Sequence, residues 1–440
     1  MEIKLYHTND IHSHLSTFSK ISRYLEDRAS DSYYVDLGDH VDRSHPFTEG
    51  TLGKGNIQLL NQANVKVATI GNNEGITLNH DDFNTLYDEA LFQITCCNLF
   101  DFDGALPRHI KPYVIDEFKG IRFGFIGATA EFTPFYKALG WKVTEPIEAI
   151  RKQMEIIHDQ CDVVIILSHL GMFADRRIAE EIAGIDIILG AHTHHHFEQG
   201  ERVNGVLIGA AGRYGEYIGE MTLQFEQSTL VKKEARLIDT DELADSEDSF
   251  YEQGRLALSD VVYNQPVDLP RRLYSASYTT ALLARQLRVE LEADCALINT
   301  GLIVKGYNGD HFTKYDLHKM LPHPINSVKI TLTGRELKEI IAVSAKHEYR
   351  DEIVKGFGFR GDLFGMYVLD NIGFIQSERK FFVGDRLIDD KQTYSLATLD
   401  MYTFGRFFPQ FVQNEKDYKM PEFLRDIMER ALFHRTDILI

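Results

Sequence analysis

Residues 3–14 read IKLYHTNDIHSH, a mostly apolar run that passes directly into acidic and histidine side chains. The run up to Thr8 is typical of a buried β-strand, and the Asn-Asp pair after it is typical of a turn. Asp10 and His12 stand one residue apart just beyond the predicted strand. An extended chain that breaks into a loop can bring two side chains so spaced to a single ion. The stretch therefore predicts a metal site at the end of a strand.

The same arrangement recurs along the first half of the chain. Strand-like runs at 33–38, 66–71, 162–168 and 185–190 each lead at once into Asp, Asn or His. The residues in question are Asp39, Asn72, His169, His192 and His194. Any one of them alone is more often a turn or capping residue. Ligand sites in open α/β sheets form outside the carboxyl ends of strands, so the ordered set predicts that these strand ends meet around metal.

The donor types indicate which ions the site would take. Imidazole, carboxylate and amide ligands together suit Mn²⁺, Zn²⁺ or Fe²⁺ better than Ca²⁺. A carboxylate such as Asp39 can bridge two cations, which an imidazole cannot do. Two divalent ions about 3.5–4 Å apart would clamp a phosphoryl group and generate a hydroxide nucleophile. His195 and His196 extend the histidine run, and we expect both to be solvent-facing loop residues.

The fold class follows from the alternation of strands and helices. Further strand-like runs (92–97, 122–129, 206–211) and helix-like stretches (18–29, 55–63, 147–159, 174–183) fill the first half. This pattern predicts a layered α/β domain over 1–238, with sheets flanked by helices. Residues 239–267 are rich in acidic side chains and are predicted to be a linker. A smaller α+β domain is predicted for 268–440.

Composition narrows the class of partner. The chain has 440 residues and a formal net charge of −19, which disfavours extended nucleic acid and anionic membranes. A small anionic substrate would need metals or arginines to invert the local field. Because the start of the chain lacks a secretory pattern and the apolar runs are short, we expect a cytoplasmic protein. The four cysteines lack metal-type spacing and are expected to be reduced thiols, and the oligomeric state stays open.

The ordered motifs resemble a known family. Asp10-x-His12, Gly38-Asp39, Gly71-Asn72, His169 and Gly190-x-His192-x-His194 are similar to those of the calcineurin-like metallophosphoesterases. In the second half, NTG (299–301), LPHPINSVKITLTGREL (321–337) and FGFRGD (357–362) resemble the C-terminal domain of bacterial 5′-nucleotidases. The resemblance implies a metallophosphoesterase sandwich followed by a substrate-binding domain. It further implies hydrolysis of nucleoside monophosphates or nucleotide diphosphate derivatives at a two-metal site.

The resemblance also implies a division of the ligands between two ions. The first ion would be held by Asp10, His12, Asp39 and His194. The second ion would be held by Asp39, Asn72, His169 and His192. Many family members have an amide at the position of His194, so the strength of that ligand differs here.

On the substrate side the resemblance is looser. It implies binding by Asn299, Gly301, Phe357, Phe359, Arg360 and Phe408. The family's substrate-binding arginine is replaced by Val304, and Lys305 or Arg360 could supply the charge. Phe357 or Phe359 would be the first aromatic of a base sandwich and Phe408 the second, with core packing as the alternative for each.

The largest departure concerns acid catalysis. The family's catalytic His-Asp dyad is replaced by Asn73 and Ile76. An amide can donate a hydrogen bond to a phosphate oxygen, but it cannot protonate a leaving group. His40 and Arg43 are candidate substitutes, since GDHVDR (38–43) resembles the phosphate-binding tract of protein phosphatases. A salt bridge to a neighbouring acidic loop is the alternative role of Arg43.

Three functions therefore compete. The first is a two-metal nucleotide phosphohydrolase that favours diphosphate-type substrates, whose leaving group needs no proton. The second is a protein phosphatase, against which the nucleotidase-like second half speaks. The third is a nucleotide-binding sensor with weak turnover, against which the complete set of ligands speaks.

Overall fold

The computed structural model describes residues 1–246, 248–375, 377 and 380–433. The chain folds as two compact units, Met1–Gly254 and Arg255–Ile440. This division falls inside the segment that the sequence predicts to be an acidic linker. No helix of the described residues is both long enough and apolar enough to cross a membrane. Cys96, Cys97, Cys161 and Cys295 are free thiols.

Each of the eight apolar runs predicted as strands in the first half overlaps a strand of the first unit, and several further strands were not predicted. Its strands are β1 (Glu2–Thr8), β2 (Ser32–Asp36), β3 (Val67–Thr69), β4 (Gln93–Thr95), β5 (Leu99–Asp101), β6 (Ile110–Lys111), β7 (Val114–Phe118), β8 (Ile121–Thr129), β9 (Trp141–Val143), β10 (Val163–His169), β11 (Ile187–Gly190), β12 (Glu201–Val203), β13 (Val206–Gly209), β14 (Tyr217–Glu226) and β15 (Thr229–Asp239). Its helices are α1 (Leu15–Glu26), α2 (Pro46–Thr51), α3 (Lys54–Gln62), α4 (Asn72–Thr77), α5 (His80–Leu86), α6 (Thr133–Ala138), α7 (Pro146–Ile157) and α8 (Met172–Glu181), and α9 (Phe250–Ala257) leads into the second unit. Short 3₁₀ turns lie at His158–Gln160 and Thr240–Glu242.

The strands of the first unit form two large mixed sheets. One has the order β15-β14-β1-β2-β3-β4-β6 and the other β12-β13-β11-β10-β8-β7. Strands β1, β2, β3, β4 and β6 run parallel, as do β8, β10, β11 and β13. Antiparallel neighbours, including the long β14–β15 hairpin, complete the edges. The parallel strands bring the predicted ligand loops to the carboxyl ends of both sheets.

The core of the first unit lies between the sheets and beneath the helices. Leu5 and Val35 from one sheet pack with Phe125 and Ile165 from the other. The alternate residues of the second sheet, such as Ile166, pack instead against helices α7 and α8. This alternation is what a strand covered on both faces requires. The architecture is therefore a sandwich of sheets flanked by helices, as the sequence predicts.

The second unit is a smaller α+β fold. Its strands are β16 (Val261–Tyr263), β17 (Val267–Leu269), β18 (Cys295–Asn299), β19 (Tyr307–Gly309), β20 (Phe312–Thr313), β21 (Asn326–Thr333), β22 (Tyr367–Asp370), β23 (Ile372–Ile375), β24 (Lys380–Val383), β25 (Arg386–Leu387), β26 (Thr393–Leu399) and β27 (Lys416–Phe423). Its helices are α10 (Tyr278–Glu290), α11 (Lys314–Met320), α12 (Gly334–Ser344) and α13 (Leu424–Phe433), with 3₁₀ turns at Thr300–Leu302, Asp400–Tyr402 and Pro409–Val412. A five-stranded sheet of order β22-β18-β26-β21-β27 forms its centre.

A neutral histidine is built into the core of this second unit. His323 is fully buried, and its ring stacks on Phe359 with the centroids 5.0 Å apart. The backbone N–H of Arg360 donates to His323 Nδ1, which leaves Nε2–H to donate to the carbonyl of Leu302 at 2.8 Å. Burial lowers the pKa of His323 to about 3. Protonation would therefore break the hydrogen bond from Arg360.

The stability of this unit should fall in mild acid because of His323. Between pH 6.5 and 3 the unfolded chain binds a proton that the folded chain excludes, so the free energy of unfolding is highest above pH 6.5 and falls below it. His323 alone should remove about 2 kcal/mol between pH 7 and pH 5. His323→Gln can keep both hydrogen bonds without titrating, so it should lose less stability over that interval. Hydrogen exchange of the β18 backbone, corrected for intrinsic pH dependence, measures the difference.

The matched control is His311→Gln, which changes an exposed histidine of the same unit. This control should keep the acid sensitivity of the wild type. An equal loss of protection in wild type and His323→Gln would contradict the role given to His323.

Candidate metal centre

The predicted ligands sit in loops whose backbone is forced into an uncommon conformation. Asp10, His12, Asp39, His192 and His194 all have positive φ, between 45° and 73°. A residue with a Cβ is rarely found there, and such strain clusters at functional sites. The loops therefore hold five of the seven predicted ligands in positions that an ordinary turn would not give.

Close backbone packing holds these loops together. A Cβ on Gly71 would lie 2.1 Å from Asp39 Oδ1. Only glycine therefore lets the loop after β3 pack this closely against the loop after β2. The buried Glu74 carboxylate accepts the backbone N–H groups of Gly71, Asp39 and Val41, each at 2.9 Å. The N–H of His12 donates to the carbonyl of Asp39 at 2.8 Å. Together these bonds tie the ends of β1, β2 and β3 into one rigid edge.

One group of donor atoms consists of Asp10, His12 and His194. The Nε2 atoms of the two histidines are 3.2 Å apart. Asp10 Oδ1 lies 3.4 Å from His194 Nε2 and 3.8 Å from His12 Nε2. These three atoms surround a single point, as ligands of one ion would.

A second group consists of Asp10, Asp39 and His169, so Asp10 belongs to both. His169 Nε2 lies 3.4 Å from Asp39 Oδ2 and 3.9 Å from Asp10 Oδ1. The other ring nitrogen, Nδ1, is 2.8 Å from the carbonyl of Leu37, to which it donates. In the neutral ring, that bond keeps the proton on Nδ1 and leaves the lone pair of Nε2 facing the two carboxylates.

Asn72 and His192 adjoin the second group. Asn72 Oδ1 is 2.8 Å from His192 Nδ1. The His192 ring centroid lies 5.4 Å from that of His169. The N–H of His192 also donates to the carboxylate of Asp10. All seven predicted ligands are therefore brought to one edge of the sandwich.

The two histidines that continue the run differ from each other. His196 is exposed, as expected. His195 is half-buried instead of solvent-facing, because its ring packs edge-on against Phe197 with the centroids 4.9 Å apart. Its Nδ1 lies 2.9 Å from the hydroxyl of Thr193. The expectation for His195 is therefore wrong, since this ring packs back onto its own loop.

The electrostatics of this cluster suit a cation. Asp10 and His169 are fully buried and Asp39 nearly so. Burial alone would lower the pKa of His169, but the carboxylates of Asp39 and Asp10 outweigh it and raise that pKa to about 10. Conversely, the neighbouring histidines keep the pKa of the Asp10 carboxyl below its usual range despite burial.

The donor chemistry fits a divalent cation for a second reason. His169 Nε2 is buried and makes no well-formed hydrogen bond among the described residues, its nearest carboxylate oxygen being Asp39 Oδ2 at 3.4 Å. A buried polar atom without a partner is costly unless a ligand satisfies it. With imidazole and carboxylate donors on the same point, a divalent metal ion is the natural ligand.

Asn73 lies within the ligand cluster, at the position where the family has a catalytic histidine. Its side chain is nine-tenths buried. Its Nδ2 is 3.1 Å from His12 Nδ1, and its Oδ1 accepts from Asn72 Nδ2 at 3.1 Å. Its backbone N–H donates to Asp39 Oδ1 at 2.7 Å. Asn73 therefore contacts ligands from three strand ends.

The two candidate substitutes for the missing histidine lie elsewhere. The His40 ring is buried edge-on against Phe18, and burial lowers its pKa to about 3. Its Nδ1 is 3.3 Å from the side-chain amide of Asn56. The structure thus keeps the His40 ring in the core rather than in the ligand cluster.

Arg43 is held by a neighbouring acidic side chain, which is the alternative role that its sequence position suggested. Its guanidinium donates twice to the carboxylate of Glu49, at 2.7 and 3.1 Å. A third N–H donates to the carbonyl of Thr77 at 2.7 Å. Both partners belong to the same unit, so these contacts tie helix α2 to the end of α4.

In the second unit, Asn299 and Gly301 shape a buried turn. Asn299 donates to the carbonyl of Phe364 and accepts the hydroxyl of Tyr402 at 2.8 Å. A Cβ on Gly301 would lie 2.1 Å from the carbonyl oxygen of Leu363. Both residues are buried, so their contacts in this structure are internal ones.

The predicted aromatic residues divide into buried and accessible ones. Phe359 and Phe408 are 3% and 1% exposed and belong to the core. Phe357 is half-buried, and its ring lies 5.4 Å from that of Phe404, which is 44% exposed. Arg360 is half-buried and donates to the carbonyl of Phe359. Phe404 was missed by sequence reasoning, although it belongs to the glycine-containing stretch FGRFFP (404–409) that includes Phe408.

Two further residues beside the ligands were missed. Asp42 Oδ2 lies 3.4 Å from His12 Nδ1, on the side of the ring away from the cluster. The Tyr214 ring lies 5.8 Å from the His12 ring and 6.3 Å from the His194 ring. The only sequence signal for Tyr214 is its position inside a glycine-flanked turn, AGRYG (211–215).

Comparisons with known proteins agree with this geometry. Residues 3–196 match the calcineurin-like phosphoesterase family, and residues 261–412 match the 5′-nucleotidase C-terminal domain. The chain is 39% identical over 454 residues to the uncharacterized metallophosphoesterase YunD of Bacillus subtilis, covering 97% of this chain and 98% of that one.

Solved structures with low identity share the fold. The NAD nucleotidase of Haemophilus influenzae is 15% identical with a TM-score of 0.63, and the match covers 99% of this chain and 96% of that one. The 5′-nucleotidase precursor of Thermus thermophilus is 19% identical with a TM-score of 0.59, at the same coverage. With both family matches and the full-length relative, the chain belongs to the calcineurin-like metallophosphoesterases that carry a 5′-nucleotidase C-terminal domain, and it is a hydrolase of phosphoesters.

Proposed function

We propose that this hydrolase uses two divalent metal ions to cleave nucleotides, and that it prefers substrates with a diphosphate bond. The observation that carries the proposal is the pair of donor groups that share Asp10, one with His12 and His194 and the other with Asp39 and His169. Two overlapping groups suit two neighbouring ions better than one.

The division of the ligands follows the family pattern, in which Asp39 and not Asp10 serves both ions. Asp39 Oδ2 lies 3.4 Å from His169 Nε2 and 3.7 Å from His12 Nε2, so it is within reach of both groups. The first ion would be held by Asp10, His12, Asp39 and His194, and the second by Asp39, Asn72, His169 and His192. When bound, the ions would supply Lewis-acid stabilisation of phosphoryl oxygens and activation of a water molecule. Mn²⁺, Zn²⁺ and Fe²⁺ are the candidates that this donor set favours.

The residues of the chain would fix the geometry around those ions. The bond from His169 to the Leu37 carbonyl orients its ring, and Asp42 stands in the corresponding position behind His12. Such outer partners set the tautomer and raise the basicity of a ligating imidazole. Asn73 would add to this by linking Asn72, from which its Oδ1 accepts, to the carboxylate of Asp39, to which its backbone N–H donates.

The preference for diphosphates follows from the chemistry of the leaving group. A nucleoside monophosphate expels a ribose alkoxide, which benefits from a proton, whereas a diphosphate expels a group that is already stable as an anion. General acid catalysis is worth about 10²–10⁴-fold, so an enzyme without it loses more on monophosphates. Asn73 has no proton to give, and its amide is already engaged with the ligands.

Two observations bear on the alternatives. The bidentate contact of Arg43 with Glu49 speaks against a phosphate-binding role and so against a protein phosphatase. For a nucleotide base, Phe357 together with the partly exposed Phe404 offers a more accessible aromatic surface than the buried Phe359 or Phe408. We therefore assign base stacking to Phe357 and Phe404.

Removing one buried imidazole should remove metal without unfolding the chain. We expect His169→Asn to weaken binding of one ion by more than about tenfold, because even the outer partners of ligands are worth about 10–100-fold. Metal content after dialysis, measured by mass spectrometry, reports the loss. Thermal unfolding in chelator checks that the variant folds.

The control for this experiment is His196→Asn, the same substitution at an exposed residue of the neighbouring histidine run. It should retain the metal content of the wild type. Equal metal content in both variants would exclude His169 as a ligand.

A substrate screen tests the preference itself. Product formation from AMP, ADP and a nucleotide sugar would be followed by chromatography in the presence of Mn²⁺, Zn²⁺ or Mg²⁺. ADP and the nucleotide sugar should be cleaved faster than AMP, because their leaving groups need no proton. Asp39→Asn should abolish all three activities. Faster cleavage of AMP would refute the preference, and tight nucleotide binding without cleavage would favour the sensor.

Restoring the dyad should shift the preference. Asn73→His combined with Ile76→Asp places the family pair at its usual spacing. We expect cleavage of AMP to rise by up to about 10²-fold while cleavage of ADP changes little, since only the alkoxide benefits from the new acid. Metal content, measured in parallel, separates this effect from a disturbed His12. A parallel rise or fall of both activities would show that acid catalysis does not set the preference.

A further inference from the structure

The turn that joins strand β13 to β14 passes from one sheet to the other beside the ligand cluster. Four hydrogen bonds fix it there. Asn9 accepts from the N–H of Ala211 and donates to the carbonyl of Gly212. The N–H of Gly212 donates to the carbonyl of His195, and that of Tyr214 donates to the carbonyl of Asp10. The turn is therefore bound to the loop of Asp10 and to the histidine loop.

Tyr214 is held in this turn against its backbone preference. Its φ is 59°, between glycines 212 and 215 that both have a φ of 75°. A bulky residue with positive φ is an outlier that the surroundings must enforce. Its ring lies beside the ligands His12 and His194 and stacks on His14, with the centroids 3.9 Å apart. The strained backbone thus places an aromatic ring at the rim of the metal centre.

Arg213 lies against that ring. Its guanidinium carbon is 4.6 Å from the centroid of Tyr214. Within the described part of the chain, its side chain makes neither an ion pair nor a hydrogen bond. Other arginines of the same unit are engaged: Arg43 with Glu49, and Arg176 with Glu201. The side chain of Arg213 therefore keeps its N–H donors available for a ligand.

We propose that Arg213, supported on Tyr214, binds the phosphoryl group next to the one that is hydrolysed. This inference rests on the proposed function, because it assigns the second phosphoryl group of a diphosphate substrate to a particular side chain. The attacked phosphoryl group would be surrounded by the ligand cluster, and Arg213 contacts the Tyr214 ring, which in turn lies beside His12 and His194. The adjoining phosphoryl group, one bridging oxygen further out, is the anion that a guanidinium at the rim would meet.

The chemistry of the side chain suits that role. A guanidinium presents paired N–H donors that match two phosphate oxygens, and it stays charged at all relevant pH values. An aromatic face beneath it orients the fork without neutralising it. The positive charge of the guanidinium would stabilise the departing phosphate as negative charge develops on it. An enzyme without a general acid needs such stabilisation, because it cannot protonate the leaving group.

Binding measurements test the assignment most directly. The holoenzyme with Mn²⁺ would be titrated with α,β-methylene-ADP, which has two phosphoryl groups and resists cleavage between them, and with inorganic phosphate, which has one. We expect Arg213→Met to weaken binding of α,β-methylene-ADP by about 10–100-fold, as the loss of a charged, bidentate contact does. The effect on inorganic phosphate should be at least about tenfold smaller. Arg213→Lys, which keeps the charge but loses the fork, should fall between.

The matched control is Arg202→Met on strand β12 of the same unit, where the guanidinium donates to the carbonyl of Lys233. It should bind both ligands as the wild type does. A purely structural role of Arg213 predicts that both ligands weaken together in Arg213→Met, and this outcome would overturn the proposal. Unchanged binding of α,β-methylene-ADP would overturn it as well.

Turnover separates this proposal from the proposed function. If the wild type cleaves ADP, Arg213→Met should reduce the ratio of kcat/KM for ADP to that for p-nitrophenyl phosphate by about tenfold or more. If the wild type cleaves no diphosphate, the proposed preference is wrong, and the two binding constants alone decide the role of Arg213. Loss of binding confined to α,β-methylene-ADP would still support it, and equal loss would refute it.

Discussion

Two carboxylates buried side by side dominate the first unit. Asp10 and Asp39 are almost completely shielded from water, and removing a charge from water costs several kcal/mol even after relaxation. The cost is bearable only when cationic or hydrogen-bonding groups surround both of them. His12, His169 and His194 supply part of that compensation, and backbone N–H groups supply more. A divalent cation would supply the rest more effectively than any rearrangement of side chains, so burial itself argues for metal.

The same requirement explains the backbone strain. Five predicted ligands adopt positive φ, and each such residue costs of the order of 1–3 kcal/mol. The parallel strands position the loops, and the Glu74 carboxylate accepts backbone N–H groups from the loops after β2 and β3. The favourable free energy of packing the core between the two sheets offsets the cost of this backbone strain. Rigidity of the sandwich is thus a condition for the ligand geometry and not a separate property of the fold.

The predicted ligands lie together because chain order and sheet topology agree. In parallel strands every carboxyl end lies at the same edge, so the polar residues after them converge. No such rule applies to the β14–β15 hairpin, whose second strand carries many charged, exposed residues, so neither it nor the turn with Tyr214 was predicted. Other gaps depend on tertiary packing. Phe404 and Phe408 occur four residues apart, yet one is exposed and the other lies in the core. Whether Arg43 faces a phosphate or Glu49 depends on the direction in which α2 leaves its loop.

Asn73 illustrates how a lost catalytic group can leave the rest of a site intact. A histidine at this position could protonate a leaving group, but the asparagine instead accepts a hydrogen bond from Asn72 and donates its backbone N–H to Asp39. The change removes a proton donor and adds a link between ligands from different strands. Under the proposed assignment, metal binding by Asn72 and acid catalysis at position 73 would be separable, because they would use different side chains of one short helix. Under the proposed function, a site organised in this way would meet the negative charge of a departing phosphate with fixed cations instead of a proton, and substrate preference would follow from the leaving group.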